Sequence, residues 1–95
     1  MIRAGELELF EHILQDVFNL KSKPQTRFSR EIKYQRDECY GFYDGEPVSN
    51  NRFSHKIRIS RKLIKTSEAL FSTMAHEYAH AWQVEHNLDV CHNAE

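Results

Sequence analysis

Scarcity is the first thing this chain shows. Only two of its 95 residues are cysteine, Cys39 and Cys91, far apart and in no CxxC pair. A disulfide framework is not expected, and two reduced thiols suit the cytoplasm. Three glycines and two prolines leave no material for a low-complexity linker, and there is no internal repeat. No stretch approaches the ~18 apolar residues of a membrane span. Met1-Ile2-Arg3-Ala4-Gly5 opens no secretory signal. A cytoplasmic location with no membrane partner is therefore expected. An excess of one charge is missing too, because 13 Lys+Arg meet 14 Asp+Glu for a net charge of −1. That excludes a uniformly basic nucleic-acid binder and an acidic tail. The length excludes a two-domain enzyme. A chain of this size buries roughly 60–65% of its unfolded surface, enough for one modest core.

The neutral total conceals segregation. Residues 21–36 carry six Lys and Arg against one Glu, and residues 51–65 carry six against none. Every other Lys or Arg is accounted for by Arg3 alone, while residues 66–95 hold five acidic residues and no Lys or Arg.

Residues 6–20 place Leu7, Phe10, Ile13, Leu14, Val17 and Phe18 at helical spacing, with Glu8, Glu11, Gln15 and Asp16 opposite. The pattern predicts an amphipathic helix that stops at Lys21-Ser22-Lys23-Pro24. Residues 26–35 alternate, with Phe28, Ile32 and Tyr34 on one parity, as in a half-buried strand. A short aromatic stretch, Glu38–Tyr43, leads to a turn signal at Asp44-Gly45 and a loop over Glu46–Arg52. Alternation returns at Phe53, His55, Ile57 and Ile59, opposite Arg52, Ser54, Lys56, Arg58 and Ser60. Thr66 and Ser67 are N-cap candidates, and Glu68 sits where the helix dipole favours an acid. From Glu68 to about His86 there is no Gly or Pro. There Leu70, Phe71, Met74, Ala75, Tyr78, Ala79 and Trp82 make an apolar face. The expectation is an α+β fold: an N-terminal helix, a small two- to three-stranded antiparallel or mixed sheet, and a long C-terminal helix.

Within that last helix lies His76-Glu77-Tyr78-Ala79-His80, an HExxH sequence. At ~100° and ~1.5 Å per residue, the two histidines are only ~40° apart around the axis and ~6 Å apart along it. Both imidazoles can thus reach one Zn²⁺ at ~2.0–2.1 Å. Glu77 is turned ~100° from His76, beside the ion and not on it. There it can act as general base towards a water that the ion acidifies. Three fixed positions in five recur by chance, and a solvated polar stripe is the plain alternative. The helical context, the apolar residues alongside and the cost of burying unpaired imidazoles and a carboxylate favour zinc.

Catalytic zinc usually keeps three protein ligands and one open position. His86 follows His80 by six residues, the spacing of HExxHxxGxxH, but Gln83 stands where that pattern breaks the helix with Gly. In an unbroken helix His86 lies ~9 Å further along and ~120° away from His80, out of reach. It reads as a polar residue at the helix end. His92 lies beyond the stop Asn87-Leu88-Asp89, from which a short loop can fold back, and is the better third ligand. Glu95 is an outsider.

The strand end Ile57-Arg58-Ile59-Ser60, then Leu63-Ile64, then Ala75-His76-Glu77-Tyr78-Ala79-His80-Ala81-Trp82, resembles the SprT-like metallopeptidases, which include the Spartan DNA–protein crosslink proteases. Cys91-His92-Asn93-Ala94-Glu95 is similar to the family's third-ligand segment, with Asn93 where Gly is usual. The resemblance implies His76, His80 and His92 as zinc ligands, Glu77 as general base, and a protein or peptide substrate, on DNA-associated proteins in the Spartan case. The chain stops before the aromatic residue that usually follows and before any zinc-ribbon module. A single domain over residues 1–95, short by nature or truncated at its C-terminus, is the expectation.

Other residues read two ways. His55, on the apolar parity, is a satisfied core histidine or a hydrogen-bonder to substrate. Tyr40, Phe42 and Tyr43 are core aromatics, or beside a cleft they line a peptide-binding groove or stack a base. Tyr78 points away from the metal, and His12 belongs to the surface. Arg52, Lys56 and Arg58 share the solvent parity of their strand. They form an ordinary solvated face, or a basic face beside an acidic catalytic helix that tracks DNA phosphates. Two further functional readings compete with the peptidase. One is a zinc-containing nucleic-acid-binding module with little or no protease activity. The other is a structural zinc domain, with Cys91 or Glu95 as the fourth ligand.

Overall fold

The computed structural model describes residues 2–88. Helix α1 spans Glu6–Phe18, followed by strands β1 (Gln25–Ser29), β2 (Lys33–Tyr34), β3 (Asp37–Glu38), β4 (Gly41–Ser49) and β5 (Arg52–Ser60), then helix α2 (Ser67–Glu85). Among the described residues no helix is long and apolar enough to cross a membrane.

Alternation builds the sheet. Its order is β1-β5-β4, with β5 central, parallel to β1 and antiparallel to β4. The register sets Thr26 and Phe28 of β1, Ile57 and Ile59 of β5, and Gly41 and Tyr43 of β4 on one face. The helical layer covers that face. α2 lies across β4 and β5, and α1 packs on α2. The core joins Leu14 and Leu20 to Tyr43, Ile57, Ile59, Ile64, Leu70, Met74, Tyr78 and Ala81. Phe10 meets Phe71 edge-on, with ring centroids 5.1 Å apart. α2 starts as predicted, with the Thr66 hydroxyl accepting from the Ala69 N–H at 3.1 Å.

Three local expectations are corrected. The strand expected over residues 26–35 ends at Ser29. The chain then leaves the sheet and makes a separate hairpin from β2 and β3, turning at Gln35 (φ 52°) and Arg36 (φ 74°). Neither residue type favours left-handed backbone, so turn chemistry gave no warning. Ile32, though off the sheet, is still buried. Asp44-Gly45 is not a turn but mid-strand. Gly45 is required there because the Tyr43 ring and hydroxyl lean across it, where a Cβ would collide. The expected loop Glu46–Arg52 is instead the end of β4, an irregularity between Pro47 and Ser49, and a hairpin turn at Asn50-Asn51. Asn51 takes φ 59°, which Asn tolerates. Pro47 is acceptable because β4 is an edge strand.

Candidate metal centre

α2 is pressed onto the sheet by one side. Leu70, Thr73, Met74, Glu77, Tyr78, Ala81 and Glu85 are buried, whereas His76 is exposed and His80 half-buried. The i, i+4 spacing brings the two imidazoles together at the rim of that buried side. Their Nε2 atoms are 3.1 Å apart and their rings nearly perpendicular. Gln83, one turn on, accepts from His80 Nδ1–H at 3.1 Å. That fixes the tautomer in which the His80 Nε2 lone pair faces His76. A tetrahedral ion with bonds of ~2.0–2.1 Å spaces two ligand atoms by ~3.3–3.4 Å, so the observed separation and the nitrogen donors suit zinc.

Glu77 is fully buried, on the side of α2 that faces β4. The approach is close enough to dictate a glycine. A Cβ on Gly41 would lie 2.6 Å from Thr73 Cγ2 and 2.9 Å from Glu77 Oε2. Gly41 and Gln83 were both missed in the sequence. A strand-opening glycine and a glutamine three residues past a histidine have no signature of their own.

Behind His80 runs a buried polar chain. The Tyr43 ring lies 6.2 Å from the His80 ring at an interplanar angle of 28°. Its hydroxyl donates to His55 Nδ1 at 2.6 Å, and His55 Nε2–H donates to Glu85 Oε2 at 2.7 Å. Glu85 also accepts the backbone N–H groups of Lys21 at 2.6 Å and Ser22 at 3.1 Å. Burial, then the Glu85 and Asp44 charges, push the Tyr43 hydroxyl well above its usual range, which keeps it a donor. His55 is thus the satisfied core histidine of the two readings. Its partners lie 12 and 30 residues away.

Tyr78 is buried beside Phe18, its ring 6.3 Å distant. Burial first and the Glu11 charge second push its hydroxyl up to about 12. Trp82, expected on the apolar face, is 37% exposed. His86 stacks on Trp82 at 4.0 Å and its Nδ1–H donates to the Trp82 carbonyl at 2.8 Å, so it caps its own helix. His12 is a surface residue near Asp16. Tyr40 is exposed, and only Tyr43 of the three aromatics at 40, 42 and 43 is buried in the core. Cys91, His92, Asn93 and Glu95 lie outside the described residues. Among the described residues no group of three or more His, Cys, Asp or Glu gathers as a metal site.

Compared with models of protein families, residues 7–95 match the SprT-like family. The chain belongs to the SprT-like family. No curated protein and no solved structure matches it. SprT-like membership fits a metallopeptidase-like domain of helix, mixed sheet and helix. In this SprT-like chain the paired imidazoles, the buried glutamate between them in sequence and the glycine opposite form one cluster at the α2–β4 contact.

Proposed function

We propose that the chain is a zinc metallopeptidase of the HExxH type. The observation that carries this is the convergence of His76 and His80 Nε2 at 3.1 Å on the helix that also bears Glu77. His76, His80 and His92 would hold the ion. When bound, zinc supplies a Lewis acid that lowers the pKa of water and polarises the scissile carbonyl. The protein's own groups do the rest. Gln83 keeps the His80 lone pair directed at the shared point. Glu77 takes a proton from the attacking water and returns it to the amide nitrogen as the peptide bond breaks. The Tyr43–His55–Glu85 chain holds the sheet and the C-terminal end of α2 in register behind His80. The substrate is a peptide or protein, and DNA-associated proteins are the class the resemblance implies.

A second reading, a zinc-containing nucleic-acid-binding module with little protease activity, is favoured by the exposed Arg52, Lys56 and Arg58. Glu77→Gln separates the two. On the peptidase reading it retains zinc at the wild-type ratio and loses cleavage of a denatured protein substrate. A wild type loaded with zinc and inactive on every such substrate removes the peptidase reading.

A further inference from the structure

β1 forms the edge of the sheet opposite β4, away from the α2–β4 contact where the paired imidazoles lie. The Arg61 N–H donates to the Ser29 carbonyl at 2.7 Å. In a parallel ladder that turns the N–H and C=O groups of Gln25, Arg27 and Ser29 towards β5. Those of Thr26 and Phe28 therefore point away from the sheet, and among the described residues no strand pairs with them. An edge of this kind is a template for a further strand.

Beside that edge is a concavity of about 550 Å³. Ile2, Phe28 and Ile64 give it an apolar floor, and Arg3, Arg61 and Lys65 stand at its rim. All three cations are exposed, and among the described residues none of them forms an ion pair. The acids close by are engaged elsewhere. Glu6 accepts from the Ser67 hydroxyl at 2.7 and 2.8 Å and from the Arg3 backbone N–H at 3.1 Å. Glu31, in an adjoining hollow that shares Arg61 and Lys65, pairs with Lys33 and Lys62.

The rim and floor together ask for an occupant with negative charge beside an apolar group. A nucleotide strand needs a free ring face to stack on, but the Arg61 guanidinium lies over Phe28, 4.8 Å from the ring centroid. A fatty acid matches rim and floor and leaves the outward Thr26 and Phe28 groups unused. An extended acidic peptide uses all of them. Its backbone pairs with the edge, an apolar side chain fills the hollow, and carboxylates meet the cations.

We propose that the β1 edge and its adjoining hollow dock an extended segment of a partner protein in which an apolar residue is flanked by acidic ones. The segment adds to the sheet as a fourth strand beside β1. The inference does not rest on the peptidase reading, because the docked segment and the His76–His80 cluster are served by opposite edges of the sheet.

Fluorescence polarisation with the full chain and the labelled peptide Glu-Asp-Thr-Phe-Thr-Asp-Glu tests it, beside its leucine-centred form and the lysine-flanked control Lys-Lys-Thr-Phe-Thr-Lys-Lys. The wild type binds an acidic probe, with EDTA leaving the affinity unchanged, and does not bind the control. Arg61→Glu/Lys65→Glu weakens the acidic probe by about tenfold or more and gains binding of the control. N-methylation of the probe at alternate residues weakens binding by about threefold to tenfold on one parity and spares the other, the signature of strand addition. Both substituted side chains are exposed, so the double variant keeps its fold where a change at Phe28 or Ile64 could lose it. No binding of either acidic probe, loss of binding in EDTA, indifference to the charge reversal, N-methylation without parity, or tighter binding of laurate or oligo-dT than of the acidic probes would overturn the proposal.

Discussion

Glu85→Gln tests the buried chain behind His80 at its most heavily used member. The carboxylate accepts three hydrogen bonds, at 2.6 Å from Lys21 N–H, 3.1 Å from Ser22 N–H and 2.7 Å from His55 Nε2–H. Glutamine keeps one oxygen and turns the other position into a donor. Its least costly placement puts the carbonyl at Oε2, serving Ser22 and His55, and points the NH₂ at the Lys21 N–H. One part-buried backbone donor is then orphaned, at about 1–3 kcal/mol, and the remaining bonds lose their charge assistance. A net loss of about 2–3 kcal/mol follows. Glu85→Ala orphans all three donors and leaves a cavity, for about 4–5 kcal/mol, a large part of a small domain's stability. Urea unfolding followed by far-ultraviolet circular dichroism reads this. The Glu85→Gln midpoint falls by about 1–2 M for slopes of ordinary size. Glu46→Gln, on an exposed carboxylate, stays within about 0.5 kcal/mol. A Glu85→Gln loss below about 0.5 kcal/mol would refute the claim that this carboxylate ties α2 to the segment after α1.

Three more outcomes are expected. Gly41→Ala forces a methyl to within 2.6 Å of Thr73 Cγ2 and 2.9 Å of Glu77 Oε2; it costs about 1–3 kcal/mol by overpacking and impairs cleavage. Adding Thr73→Ser recovers stability in urea unfolding but not activity, because Glu77 stays displaced. Gln83→Leu frees the His80 tautomer, so zinc affinity by competition with a chromophoric chelator drops about 10–100-fold while the urea midpoint barely moves. The raised Tyr78 pKa means that the folded chain keeps a proton which the unfolded chain releases above about pH 10. Its contribution to stability is complete below that pH and is lost as pH climbs towards about 12. Tyr78→Phe flattens that alkaline decline in melting temperature measured between those limits.

Periodicity made α1, β5 and α2 legible, because each buries one face against the core and must repeat its apolar residues accordingly. Thr66 was readable as a cap for the same local reason. β4 was not. Asp44, Glu46 and Pro47 are poor strand formers, and the strand exists because β5 provides its register and Tyr43 fills the space above Gly45. The Gln35-Arg36 turn was equally hidden, since those side chains rarely adopt positive φ and the hairpin is held by Ile32 and Cys39, both buried. At the candidate site, His76, Glu77 and His80 lie within five residues, so helical geometry alone predicted their grouping. Gly41, His55 and Glu85 join that neighbourhood through contacts 30 or more residues apart in sequence. No short pattern encodes such contacts. The basic solvent face of the sheet was half visible. Arg52, Lys56 and Arg58 follow from parity on one strand, but Arg27 beside Arg58 enters only through the sheet order.

The central claim is that His76 and His80 share a metal that Glu77 serves. Its most direct test is the zinc content of dialysed wild type beside His76→Ala and His80→Ala, each checked for folding by circular dichroism. One zinc per wild-type chain is expected, and none retained by either folded variant. A wild type that takes up no zinc, or folded variants that keep it, would contradict it.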